Sequence, residues 1–539
     1  MPPPTSADVQ RRSRAARAPR AALPLVAVVL LASGCGSLGG RYDSATTAPT
    51  PERPAGATAR VLRVVTAQPL PSLDPAFADT RQSRAVANAL CTPLVRYADA
   101  EGLPGTVIIP GLARDLPIVS RGSRTFRVQL LAGLHFADGK RLTTEDVRAT
   151  FERLLDPATG SPGAALFHDI VGARMFADGE TPHLRGVRAN GGQITFTLKR
   201  SDPAFLARLA MPIACPVESS TPHREVRGLL ARESTGRYRV VESSPSLIDL
   251  RRADGATRIN DGGTVGAAAR ISIERLDGAG ALEAAVRSGD ADLSLDDLPG
   301  ASPPALAIPS SALAVMRIDP AKWPLSDESV RRALSLALDR RALAQADGGD
   351  VVAARSLLLD PQAPGALPAD PEAARALLRR AGAEGTLQLA LWAEPGAQAR
   401  VARAIGEQLA QIGVQIDVHV ASANERPSGA RAWIQWLDPA YGDPAAVFMP
   451  LADALAQEPQ DGPQSGPQTA IAKRVRRAAR LAGDARRAAF RRLDERLGAG
   501  GLGAIPLLRA NFSTPISSML VGRGTHPVFD VDLSLLSTR

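Results

Sequence analysis

Aromatic residues make up only 4% of this 539-residue chain, Lys supplies four of its 64 basic side chains, and Cys occurs three times. A nucleic-acid face needs clustered cations interleaved with stacking aromatics. Here the formal charge of +9 is carried almost wholly by Arg, scattered through an Ala-rich chain of the kind a high-GC genome encodes. The densest basic run, residues 473–492, sets its Arg around a helix and reads as a solvated face. No His-Glu-x-x-His zinc helix and no Gly-x-Ser-x-Gly elbow occurs, and His135, His168, His183, His223, His419 and His526 lack ligand spacing. The run Gly498-Ala499-Gly500-Gly501-Leu502-Gly503 has the bare dinucleotide spacing, but it follows a helical pattern instead of a strand. The expectation is a chain that is not an enzyme, with no metal, no cofactor and no nucleic-acid partner. No stretch after the first 34 residues approaches the roughly 18 consecutive apolar residues of a membrane span.

What is present begins at the amino terminus. Arg11, Arg12, Arg14, Arg17 and Arg20 precede an apolar core at residues 21–32, and small residues follow in Leu31-Ala32-Ser33-Gly34-Cys35. Charge, short apolar core and small-residue exit is the order of a secretory signal. The ending resembles a bacterial lipobox, in which the signal is cut before Cys and the thiol carries a diacylglycerol, although Leu is commoner than Ala three residues before the Cys. Residues 1–34 therefore read as a lipoprotein signal peptide and Cys35 as the lipidated first residue of the mature protein; a plain signal peptide with an incidental Cys is the alternative. Acyl chains on one Cys hold a protein stably at a membrane when more than one is present. Residues 35–59, rich in Gly, Thr, Pro and Ala, read as a flexible linker. Removal of the signal takes away a net +4, leaving +5.

The remaining length is too great for one core and divides into lobes. Alternating apolar and polar residues predict strands at residues 60–66, 125–130, 193–199, 270–273, 387–392 and 414–420. Helical spacing predicts helices at 329–344, 371–381 and 397–412. Thr143 and Asp146 form a capping-box pattern at the head of another helix. Strands alternating with helices of this length imply α/β lobes. Cys91 and Cys215 are an even pair in an exported chain, for which a disulfide is the expectation; two free buried thiols are the alternative.

These segments, in this order, resemble the extracytoplasmic solute-binding proteins of peptide and nickel ABC transporters, family 5. The resemblance rests on Leu73-Asp74-Pro75, on the strand at 125–130, on Phe136-Ala137-Asp138-Gly139, and on Thr143-Thr144-Glu145-Asp146-Val147. It continues through Ser288-Gly289-Asp290-Ala291-Asp292, the helix ending in Asp339-Arg340, and the helix closed by Gly382. It implies an α/β, two-lobed periplasmic-binding-protein-like fold (type II, large family 5 form), with mixed sheets flanked by helices and a hinge between lobes. Lobe I is expected at residues 60–265, with an inserted subdomain at about 91–190, lobe II at 266–502, and a C-terminal segment, 503–539, returning to lobe I. The hinge is expected near residues 268–270 and 500–503.

The same resemblance implies a lipid-anchored, monomeric component of an ABC importer that captures peptides or a related small solute in an interlobe cleft and delivers it to membrane permease subunits. A surface lipoprotein of the same fold acting in signalling or cell-envelope interaction is the alternative. Peptide-binding members place an acidic residue against the ligand's α-ammonium in a Trp-x-Ala-Asp-Tyr-x-Asp-Pro segment. Its counterpart is Trp436-Leu437-Asp438-Pro439-Ala440-Tyr441-Gly442-Asp443-Pro444, with altered spacing. Asp438 is the expected charge partner and Asp443 the second candidate, with a turn role beside Pro as the alternative for each. Trp433, Trp436 and Tyr441 are candidate pocket walls. Trp433 and Trp436, three apart in a strand, face opposite sides, so one of them belongs to the core. The family's Gly-Thr-Gly-Pro-Tyr loop reads Ser234-Thr235-Gly236-Arg237-Tyr238, which makes Arg237 a candidate donor to a ligand carboxylate, with simple exposure as the alternative.

Overall fold

The computed structural model describes residues 61–120, 122–253, 268–298, 304–320, 323–358, 368–385, 387–457, 467–497, 500–522 and 524–539. Cys35, the signal segment and the 35–59 linker lie outside the described residues.

The strand Val61–Thr66 buries Leu62, Val64 and Val65 and pairs in parallel with Arg270–Arg275 on one side and Leu293–Ser294 on the other. Leu247–Arg252 and Tyr238–Ser243 complete a five-stranded sheet. The helix Arg81–Leu90 packs against this sheet, its start fixed by a reciprocal cap between Thr80 and Ser83. A disulfide joins Cys91, at the end of that helix, to Cys215, both inside the same core. The first sheet thus reaches beyond the expected boundary at 265/266. Period-2 alternation in Arg270-Ile271-Ser272-Ile273 marks a strand and its buried face, but not the sheet it joins.

A four-stranded antiparallel sheet ordered Ile118–Ser120, Thr125–Gln129, Gln193–Thr197, Val187–Asn190 forms a subdomain on this lobe. Five phenylalanines (Phe126, Phe151, Phe167, Phe196 and Phe205) stack edge-on or tilted in its core. The helix Thr144–Leu155 carries the anticipated capping box: Thr143 Oγ1 accepts from the Asp146 N–H, and Asp146 accepts from the Thr143 N–H at 2.8 Å. The subdomain is tied down by an ion pair. Arg153 donates to both oxygens of Asp74, at 3.0 and 2.5 Å, and the two side chains are 3% and 0% exposed. Asp74 also accepts from the backbone N–H groups of Ala76 and Val226, so the Leu-Asp-Pro step is an anchor between lobe and subdomain.

The second sheet has six strands, ordered Val351–Ala353, Ala504–Pro515, Ala305–Ile318, Ala432–Leu437, Gln388–Ala393, Gln415–Val420. Helices Glu328–Leu336, Arg340–Asp347, Pro371–Arg380 and Ala397–Ala410 cover one face. The helix expected at 329–344 is therefore two: Asp339 accepts from the Arg341 and Ala342 N–H groups and restarts the helix. Helices Ala445–Gln457, Pro467–Ala479 and Gly483–Leu497 build a second core over Leu313 and Val315 on the opposite face.

The long strands Ala305–Ile318 and Ala504–Pro515 pair with each other and belong to both lobes. Ile308 and Phe512 sit in the first core, while Met316 and Ile505 sit in the second. The register between them shifts between Pro309 and Leu313. The crossing therefore runs through this antiparallel pair and not through 268–270, where the Ala268 N–H bonds Leu536 O inside the first core. Gly503 serves a close approach: a Cβ there would lie 2.5 Å from Ile318 O. After Pro515 the chain stays with the first core, through Val531, Leu533 and Leu536.

Candidate functional site

Where the cores meet, the helix Arg81–Leu90 presents Arg81 and Arg84 toward acidic groups from three other segments. Arg81 Nε lies 2.8 Å from Asp530 Oδ2, and its guanidinium lies 4.6 Å over the Phe512 ring. Asp530 is buried, which pushes its carboxyl above the ordinary range; Arg81 and Arg84 oppose the rise and Asp438 adds to it. Asp297 is also pushed up by burial, against the Ser513 N–H it accepts and the nearby Arg81. The last member differs. Arg84 Nη2 reaches Asp438 Oδ2 only at 3.8 Å, and the Asp438 side chain is 65% exposed. One carboxylate in the cluster is thus loosely paired and open to solvent.

Asp438 stands one residue beyond the strand Ala432–Leu437. Along that strand, alternation decides the tryptophans. Trp436 is half-buried and packs with Ile434 and Ala432 against the helical core. Trp433 is turned to the other face, 4.5 Å beneath the guanidinium of Arg426 and 5.6 Å from that of Arg317.

The rest of the segment bridges the subdomain core and the three-helix core. Tyr441 packs against both the subdomain core and the three-helix core, with Arg208 5.6 Å from its ring. Burial pushes its phenol up, and Arg208 opposes the shift. The Gly442 N–H donates to Tyr97 Oη at 2.9 Å, and Tyr97 donates in turn to Ala207 O. Asp443 accepts from Arg486 at both oxygens and caps the next helix through the Ala445 N–H. Arg237 donates to Asp99 and to Ser534 Oγ. Of the six candidate binding residues, the structure leaves Asp438 open, half-exposes Trp433, and gives Trp436, Tyr441, Asp443 and Arg237 packing or pairing roles. Arg81 and Arg84 were missed in the sequence. Nothing in an Arg-rich chain marks them, since their role comes from which acids the fold brings near.

Among the described residues no cluster of His, Cys, Asp and Glu is arranged to hold a metal ion, and no helix is long and apolar enough to cross a membrane.

Residues 107–457 match the family model for bacterial extracellular solute-binding proteins, family 5. The chain is 26% identical over 318 residues to di/tripeptide-binding protein 1 of Pseudomonas aeruginosa, covering 54% of this chain and 58% of that protein. It is also 26% identical to di/tripeptide-binding protein 2 of the same organism over 373 residues, covering 62% and 67% of the two chains. The match spans under two thirds of the first relative's length. Among solved structures, a clavulanic acid biosynthesis oligopeptide-binding protein aligns with a TM-score of 0.74 at 23% identity, covering 89% of this chain and 96% of the other. An unliganded, open periplasmic murein tripeptide-binding protein aligns with a TM-score of 0.73 at 20% identity, covering 89% and 98%. At these identities the structural likeness is one of fold.

Proposed function

The chain belongs to the bacterial extracellular solute-binding proteins of family 5, and from that membership we propose that it captures a peptide, or a related solute with a free ammonium group, between its lobes and passes it to a membrane permease. In this reading Cys35 carries lipid and residues 35–59 tether the body to the membrane.

The observation that carries the reading is Asp438: a carboxylate 65% exposed, 3.8 Å from Arg84, at the junction of two lobes joined by a strand pair. A 3.8 Å pair in water is worth little. When lobes close and expel water, the effective dielectric falls and a carboxylate's attraction for an ammonium rises severalfold. Rotation of one lobe against the other about the Ala305–Ile318 and Ala504–Pro515 pair is a hinge closure of a known kind. The di/tripeptide specificity in the relatives' names supports a ligand of peptide class.

Thermal-shift screening with peptide pools tests this. A ligand at one hundred times its Kd adds about 2.7 kcal/mol to the folded state, and Asp438→Ala is expected to weaken binding by roughly tenfold or more, the worth of a hydrogen bond to a charged group. Undiminished binding by the Asp438→Ala protein would remove this residue from the site.

A further inference from the structure

His526 is the one histidine of six that is fully inside the protein, 2% exposed; the other five are exposed or half-exposed. It sits in a hairpin of the C-terminal segment, where Thr525–His526 pairs antiparallel with Asp530–Val531 and His526 lies opposite Asp530. Its ring caps the hairpin's own tip. Nδ1 accepts from the Val528 and Phe529 N–H groups at 3.1 and 3.3 Å, and Nε2 donates to Ala98 O at 3.3 Å. These partners require a neutral imidazole with its proton on Nε2. An imidazolium would turn a proton toward two N–H groups that themselves need an acceptor, and buried backbone donors left unpaired are costly.

The hairpin is held between two other parts of the molecule. On one side the His526 ring stacks on Phe529 at 4.6 Å, and both rings stand edge-on to Tyr97. Val528 closes on Gly442, where a Cβ would lie 2.7 Å from it, and Tyr97 Oη accepts the Gly442 N–H. On the other side Asp530 pairs with Arg81 in the neighbourhood of Asp438. Asp530 has a left-handed backbone (φ 60°), uncommon for a residue with a side chain, and such a conformation persists only while its surroundings hold it. The charged groups around the ring are engaged elsewhere. Asp99 pairs with Arg96 and Arg237, Asp532 accepts from Ser534, and Glu101 accepts from Thr525. Burial pushes the imidazole below its ordinary value of 6.5, and Asp532 and Asp99 only oppose the shift.

We infer that His526 is an acid-sensitive latch: as an imidazolium it lets go of the hairpin tip, and with it the Tyr97–Gly442 contact and the Asp530–Arg81 pair. The hairpin then opens locally, and residues 438–443 lose their support from the C-terminal segment. The sign follows from linkage. A ring that stays neutral when packed and charges freely when released favours the packed state fully above pH 6.5, and the advantage is lost as pH falls below it. From pH 6.5 down to the lower packed value the open form binds one more proton, so opening becomes about tenfold more frequent per pH unit. The latch belongs to the fold and does not depend on which solute is bound.

Hydrogen exchange of the full-length protein, read by mass spectrometry at about pH 7.5 and about pH 5 and corrected for the intrinsic pH dependence of exchange, tests the latch. Residues 438–443 and 525–531 are expected to lose protection by about tenfold or more at the lower pH, while the helix Ala397–Ala410 keeps its own. His526→Asn places an acceptor oxygen where Nδ1 stands and does not titrate in this range, so its protection is expected to be the same at both pH values. Imidazole nitrogen NMR of the wild type needs no variant to fold: the His526 ring is expected to carry its proton on Nε2 at neutral pH and to take a second only below 6.5. Equal protection of the two segments at both pH values in the wild type, a loss that persists in His526→Asn, or a ring already charged at neutral pH would overturn the inference.

Discussion

Asp74 and Arg153 show why a polar pair inside a protein is costly to break. Each is nearly inaccessible to water, and each is fully hydrogen-bonded, Asp74 by Arg153 and two backbone N–H groups, Arg153 by Asp74 and the carbonyls of Pro222 and Arg224. Removal of one partner leaves the other charge buried alone, which costs about 3–5 kcal/mol. Asp74→Ala is therefore expected to lower the urea midpoint markedly with an unchanged slope, and a loss under 1 kcal/mol would contradict the assigned role. Asp99 gives a pH-dependent counterpart. Burial works against its charge, but Arg237, with Arg96 behind it, holds its carboxyl below the ordinary value of 3.8. A depressed folded-state pKa gives stability that is present above 3.8 and lost as pH falls through the lower folded value. Asp99→Asn is expected to lose roughly 1–3 kcal/mol at pH 7, and the gap from wild type to narrow below pH 3.8 in denaturant melts. A gap independent of pH would show that the ion pair contributes nothing.

Elements divide into those that local chemistry marks and those that only tertiary pairing assigns. The capping box at Thr143 and Asp146, the strand at Thr125–Gln129 and the helix Ala397–Ala410 are legible because caps and periodicity are local signals. The membership of Arg270–Arg275 in the first sheet is not, because a parallel partner more than two hundred residues away leaves no trace in the strand's own alternation. The break at Asp339 was legible in principle, since Asp is a good N-cap, but the apolar spacing of Leu334, Leu338 and Leu343 ran through it. At the candidate site, Asp438 is a candidate that its motif already offered, whereas Arg81 and Arg84 become candidates only through the fold. The Cys91–Cys215 bridge closes a loop of 124 residues and constrains the unfolded chain accordingly. Cys91→Ala together with Cys215→Ala is expected to cost about 2–5 kcal/mol, read by thermal unfolding under non-reducing conditions; equal melting of the two proteins would contradict this. Gly442 is a tighter constraint. A Cβ there would come within 2.7 Å of Val528 and 3.2 Å of the Tyr97 ring, in a segment that bridges the lobes. Gly442→Ala is expected to destabilise by about 1–3 kcal/mol through overpacking.

For the whole molecule, the proposal joins an anchor, a tether and a two-lobed trap. Under the proposed lipid anchor, Cys35→Ala is expected to abolish incorporation of labelled lipid and to release the protein from the membrane fraction. Labelled lipid retained by the variant would end the lipobox reading. In the proposed function, capture would depend on the contrast between a loosely paired, exposed Asp438 and the paired acids around it, and on closure about the two-strand crossing. The most direct measurement is native mass spectrometry of the protein isolated gently from its cell envelope, beside Asp438→Ala prepared in parallel. The wild type is predicted to carry a non-covalent peptide with a free amino terminus that is released on denaturation and is depleted in the variant. Equal loading of the two proteins, or a ligand without an ammonium group, would contradict the account.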